Sequence, residues 1–455
     1  MTRSSASPAP FPPPAAADSQ GECTRLLRGV NLLEAQGQPA RTADVLIRGG
    51  LLAWISPAAP GSGESGQQAP LAPESAGMIE ASDLWLGPAL VDPHSSLEDP
   101  LLGRAETLES LAAAAAAGGY GTVALLPWGP VWRDRPERLG LHWPAPLQLL
   151  LWGSFSQAGE DRELAGHADQ IAAGAIGLAC ADQLPPLPLL ERGLRLAEMG
   201  DHPVLLPPRD GSLCQQGFVR ERVEALRAGW PVDPVASESL PLELILGLRQ
   251  LLPQAPLRMM NVSTREAVLR LEQHPAPPPA SVHWWHLVAD SQRLDPVEGG
   301  WRTVPSLGGP QDRQALIEAL ADGRLRAVAV HHQALDGEEQ LLPLDQRRPG
   351  LAGHGSVLPL LWQALVVENG WRPDQLWQVL CWGPADFLGL TPARLEAPTR
   401  RWILFDPMAP ETSGDAQAGS LAANRPPRIS GGRGALVASG LRGTGGWWAP
   451  GFPKR

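Results

Sequence analysis

Residues 312–332, DRQALIEALADGRLRAVAVHH, decide the fold. Leu316, Ile317 and Leu320 recur at helical spacing and Gly323 stops the helix. After a short turn, LRAVAV is a nearly uninterrupted apolar run. A strand that apolar is buried on both faces, and a helix leading straight into it is the repeat unit of a parallel α/β sheet. Working outward, similar runs occur at 86–91 (LGPALV), 121–126 (GTVALL), 147–152 (LQLLLW), 175–178 (AIGL), 203–206 (PVLL), 257–260 (LRMM) and 281–285 (SVHWW). With 325–330 they make eight, separated by helix-length segments, which predicts a closed (β/α)8 TIM-like barrel. Ser263 and Glu266 suggest a capping box, and the Ala112–Ala117 run stops at Gly118–Gly119.

The flanks have another texture. LLRGVNLLEA, ADVLIRGG and LLAWISP before the barrel, and RRWILFDP and GALVASGLR after it, are short alternating strands with glycine turns. They predict a small β-sandwich built from both termini. The expected division is a disordered tail over 1–20, sandwich over 21–85, barrel over 86–395, sandwich again over 396–445 and a tail over 446–455. The Pro/Gly/Ser/Gln-rich stretch 58–77 reads as a loop.

Of the 455 residues, 43% are hydrophobic and 19% charged, a globular balance. The net charge of −11 argues against nucleic acid or an anionic membrane as partner. No apolar run is long enough to span a bilayer and the first residues lack a signal-peptide core, so the expected location is cytoplasmic. Cys23, Cys180, Cys214 and Cys381 are widely spaced, which points away from a disulfide framework or a cysteine zinc site. The 37 basic residues include a single lysine, Lys454, so the interior has none to use.

Six strings narrow the reading: LGPALVDPHSSLEDP (86–100), AAAAAAGGYGTVALLPWGP (112–130), NVSTREAV (261–268), the opening string at 312–332, GLAGHGSVLPLL (350–361) and GPADFLGL (383–390). In that order they resemble the dihydroorotase branch of the amidohydrolase superfamily, over about residues 26 to 440. The resemblance implies a zinc-dependent opening or closing of a cyclic amide, interconverting carbamoyl aspartate and dihydroorotate, and so a place in pyrimidine biosynthesis. Such chemistry needs a metal-activated water and a carboxylate to move its proton.

At the positions the resemblance assigns to these tasks, the residues differ. The His-x-His pair of the first strand is His94 and Ser96, and the arginine that grips a substrate carboxylate is Glu98. The substrate-binding asparagine falls at Trp128, and the metal-bridging lysine at Ala179. The histidines closing the fifth and sixth strands are Pro207 and Asn261, and the catalytic aspartate is His331. One imidazole does not hold a catalytic zinc, which takes three protein ligands. The expectation is therefore a degenerate site with no catalytic residue, metal or cofactor, in a protein with a structural or regulatory role. By family analogy aspartate carbamoyltransferase is the partner, and the chain forms a homodimer. The alternative is an active hydrolase whose zinc sits on a rebuilt set, His94, His286 and His331, with His331 or Asp290 as base.

Spacing weighs against that set. Adjacent His331 and His332 must face opposite ways on a strand, as must His283 and His286 while the strand lasts. The bland readings of the remaining features are packing for the 17 tryptophans and for Cys180, a turn for Asp92–Pro93 and a helix cap for Ser263–Thr264. No base and orienter stand beside Ser96 or Cys180 for a serine or cysteine hydrolase.

Overall fold

The computed structural model describes residues 24–57, 77–98, 104–295, 298–410, 419–427, 433–443 and 445–452. The tail expected over 1–20 and nearly all of the 58–77 loop lie outside them.

All eight barrel strands form where the apolar runs stand. They are Leu90–Ser95, Tyr120–Leu125, Gln148–Leu151 continued by Gly153–Ser154, Leu178–Ala179, Val204–Leu206, Leu257–Met259, Ser281–His283 and Ala327–Ala329. Neighbours pair in parallel, and a single bridge, Met259 to Ala280, joins the sixth strand to the seventh. The ring closes between strands eight and one, where His331 N donates to His94 O at 3.1 Å and Ser96 N to His332 O at 2.8 Å. The strands are short because each must tilt around a narrow barrel. Their side chains form one core with the surrounding helices.

The run at 86–91 divides. Trp85–Pro88 joins the terminal sheet by pairing antiparallel with Trp402–Pro410, and the barrel strand begins at Leu90. That sheet has eight strands drawn from both ends of the chain, over a core that includes Leu27, Val45, Ile47, Leu86, Trp402 and Leu404. It runs on into the stretch expected as a tail, since Trp447–Trp448 pairs with Arg433–Ser439.

Helix Leu108–Ala117 ends at Gly118, where a Cβ would lie 2.1 Å from the His354 carbonyl. Glycine there lets the helix touch the turn carrying His354. The sixth-strand cap is shifted by one residue. Thr264 caps helix Arg265–Gln273 by accepting from Ala267 N, while Ser263 is drawn away to Glu238. No helix among the described residues is long and apolar enough to cross a membrane, and Cys180, Cys214 and Cys381 are buried free thiols.

Candidate functional site at the barrel mouth

Catalysis in this barrel type is carried out at the carboxyl ends of the strands. There His94 and His331 face each other, their Nδ1 atoms 3.1 Å apart. His94 Nε2 lies 2.8 Å from Ser281 Oγ, which also accepts from Asn261 N at 3.0 Å. If Ser281 donates its proton to His94 Nε2, the proton of His94 sits on Nδ1 and goes to His331. In the other tautomer both directions reverse. Either way both nitrogens of His94 are engaged.

His283 continues the cluster, its ring 5.7 Å from that of His331 and 5.5 Å from that of His286. Here the expectation of opposite faces fails for His283 and His286. The strand stops at His283 and Trp285–Val288 is helical, so residues three apart come to the same side. For the other pair it holds: His332 turns away from the mouth. All four mouth imidazoles are buried. Burial, then His331, holds His94 well below the ordinary imidazole value, and burial does the same to His283. It takes His286 and His331 down to about 4. Near neutral pH the mouth is therefore lined by uncharged rings.

Trp128 lies over His331 edge to face, centroids 5.7 Å apart, and its indole N–H donates to Cys180 O at 3.0 Å. Ala179 is wholly buried in the fourth strand, and Pro207 is buried after the fifth. The space left beside Trp128, Pro207, Arg209, Asn261 and His331 is about 20 Å³, room for about one water. Asn261 keeps both amide atoms buried without a partner. Asn261 and His331 each hold a left-handed backbone, with φ of 54° and 48°. Such values cost free energy and cluster at functional sites, so these two strand ends carry a special backbone.

Does this donor set fit the zinc that the resemblance implies? It does not. Ala179 and Pro207 have no side-chain donor atom, and Ser96 Oγ is turned to His332 O. His94 has spent both nitrogens, and Asn261 is a poor zinc ligand. Among the described residues no three His, Cys, Asp or Glu side chains are grouped to hold a metal ion, and the set His94, His286 and His331 is no exception. Asp290, the alternative base, is instead paired with Arg313 at 2.9 Å. Glu98 pairs with Arg348, which also holds Glu339, at the edge of a cavity of about 440 Å³ between the loops after strands one and eight.

Two buried polar clusters escape a sequence reading. Behind the mouth, Asp92 accepts from Ser95 Oγ at 2.5 Å, His354 Nε2 at 2.9 Å and Val330 N at 3.0 Å. Beside it His332 Nε2 is 3.2 Å from Glu106, which also takes Ser420 Oγ at 2.5 Å and Leu421 N at 3.0 Å. Burial alone would raise the Glu106 carboxyl, but His332, Ser110 and Ser420 outweigh it and hold it below its usual value. In the loop after the fifth strand, Arg220 is buried between Asp233 at 3.2 Å and Glu238 at 3.0 Å. The Asp-Pro-His string was the only sequence signal for any of these.

A barrel with a terminal sheet from both chain ends is the architecture of the cyclic amidohydrolases. The L-hydantoinase (dihydropyrimidinase) of Arthrobacter aurescens shares it with a TM-score of 0.71 at 18% identity, over 92% of this chain and 94% of that one. The dihydropyrimidinase of Brevibacillus agri gives 0.70 at 17% identity, over 93% and 94%. No family model matches the chain. Relatives in sequence are nearer: a probable dihydroorotase-like protein of Synechocystis sp. is 33% identical over 374 residues, 74% of this chain and 83% of that protein. The dihydroorotase of Syntrophobacter fumaroxidans is 29% identical over 386 residues, 81% and 84% of the two chains. The chain belongs to the dihydroorotase-like family of cyclic amidohydrolases.

Proposed function

We propose that this chain has given up hydrolase chemistry and acts by binding, as a structural or regulatory component of pyrimidine biosynthesis. The observation that supports this reading is the double engagement of His94, by His331 on one nitrogen and Ser281 on the other. It is the one residue that keeps the identity of a family metal ligand, and it has no lone pair to offer. A mouth with room for about one water supports the same reading, since a six-membered ring does not enter it. Aspartate carbamoyltransferase is the partner this reading proposes.

The test is metal analysis of the purified protein together with an assay for dihydroorotate formation from carbamoyl aspartate. The expected result is far less than one zinc per chain and no turnover, with or without added zinc. A stoichiometric metal that chelators remove, with activity lost and regained alongside it, would overturn the proposal. Sedimentation of the two purified proteins together reads the partner.

A further inference from the structure

The hydrogen-bond donors left over in the mouth outnumber the acceptors. Asn261, 3% exposed, lines the space of about 20 Å³, and both atoms of its amide lack a partner. Arg220 stands on the same wall, 2% exposed. Its terminal nitrogens go to Pro234 O, Ser237, Glu238 and Ser263, but its Nε–H is buried with nothing to donate to. Arg209, also on the wall, donates Nε to Cys214 Sγ at 3.4 Å and one terminal nitrogen to Asp182 at 3.2 Å. Its other terminal nitrogen makes no hydrogen bond among the described residues. Against these N–H groups Asn261 Oδ1 is one unspent acceptor, and His331 adds another only in the tautomer that carries its proton on Nδ1.

We propose that the mouth binds one carboxylate group, held by Asn261, Arg220 and Arg209. An ionised carboxylate only accepts, and its two oxygens take about four hydrogen bonds between them. A water in the same place brings two hydrogens of its own and meets more donors than acceptors. A metal cation is opposed by the same N–H groups. A carboxylate is flat, and the rest of its molecule stays outside, past Asp182, whose side chain is 57% exposed at the edge of the space. Charge counts for less than donors here. Asp233 and Glu238 behind Arg220 offset its charge, and Arg209 shares its own with Asp182.

These are not the positions that the resemblance assigns to substrate. Those are Glu98, which is held by Arg348, and Trp128, whose indole N–H is spent on Cys180 O. The donors come instead from beyond the fifth and sixth strands. The carboxylate belongs either to a free short acid or to an acidic side chain of a protein docked over the mouth. The inference rests on the mouth being free of metal, and the two fail separately. Stoichiometric zinc sinks the earlier reading, whereas a zinc-free protein that takes no carboxylate sinks this one alone.

Urea unfolding of the full chain in rising sodium formate, beside equal concentrations of sodium chloride, tests the site. Formate is expected to raise the midpoint along a saturating curve that chloride does not reproduce. Asn261→Asp should weaken the formate effect at least about ten-fold, the scale of one hydrogen bond to a charged group. Arg209→Gln should do the same, and Glu98→Gln should leave the effect unchanged. Should Asn261→Asp fail to fold by circular dichroism, Arg209→Gln decides. An N-acetyl-aspartyl amide that acts at lower concentration than formate assigns the site to a protein side chain. If it acts only at higher concentration, or not at all, the ligand is a free acid. Equal midpoints in formate and chloride, or a formate effect that both variants keep, overturn the proposal and leave the mouth to water.

Discussion

Imidazoles stand on both sides of barrel strands one and eight, and the two sides differ. Inside the mouth, His94, His283, His286 and His331 lie against one another and against Trp128, hydrogen-bonding to Ser281, the Ser306 carbonyl and the Trp285 amide, and burial keeps them uncharged. Behind the same strands, His332 and His354 stand against Glu106 and Asp92, their rings 5.1 Å apart. The inner set is closed on itself, with His94 held by His331 and Ser281. The outer set has become structure, tying strand one to strand eight and to the segment after residue 418. The same residue type takes opposite parts according to whether a carboxylate faces it.

The hardest blow to this contrast falls on Asp92. Asp92→Ala leaves His354, Ser95 and Val330 N without their shared acceptor, and the expected loss is about 3–5 kcal/mol in urea unfolding. A loss below about 1 kcal/mol would show the outer set to be ornamental. The next test is pH. A folded-state imidazole value below the unfolded one means that the unfolded chain binds more protons, so stability rises with pH across the window. It is expected to fall as pH drops from about 6.5 to about 4. His286→Gln should flatten that slope by up to about 3 kcal/mol, read from urea midpoints at several pH values.

Glu106→Gln should weaken the grip on residues 419–427 by roughly 1–3 kcal/mol. Hydrogen exchange at Leu421 and Ala423 would speed while the barrel strands stay protected. The smallest effect belongs to Glu98→Ala. Its pair with Arg348 is half exposed, and less than about 1 kcal/mol should be lost. That variant leaves both sets of imidazoles alone, so it serves as the control.

Much of the fold could be read from sequence because the barrel strands are buried on both faces and separated by turn residues. Their ends were less clear. At 281–285 the apolar run continues through Trp284 and Trp285 although the strand stops at His283 and the backbone is helical from Trp285, and composition alone does not separate the two. At the site, the positions of Ala179, Pro207 and Asn261 could be found because each ends a recognisable strand. What they face could not. Asp92 and His354 are 262 residues apart, Glu106 and Ser420 are 314 apart, and no local pattern records such pairings. The left-handed backbone at Asn261 and His331 was equally hidden, since neither residue type requires it.

The segment 419–427 has a consequence for how the protein is made. Asn424 accepts from Leu335 N and donates to Gln333 O, so the chain fastens the loop after its eighth strand with a residue made 89 positions after Leu335. During synthesis the barrel can assemble while Glu106 still lacks Ser420 and the Leu421 amide, and the terminal sheet waits longer still, for Trp447 and Trp448. A ribosome stalled before residue 419 would hold a barrel whose loops have not been latched.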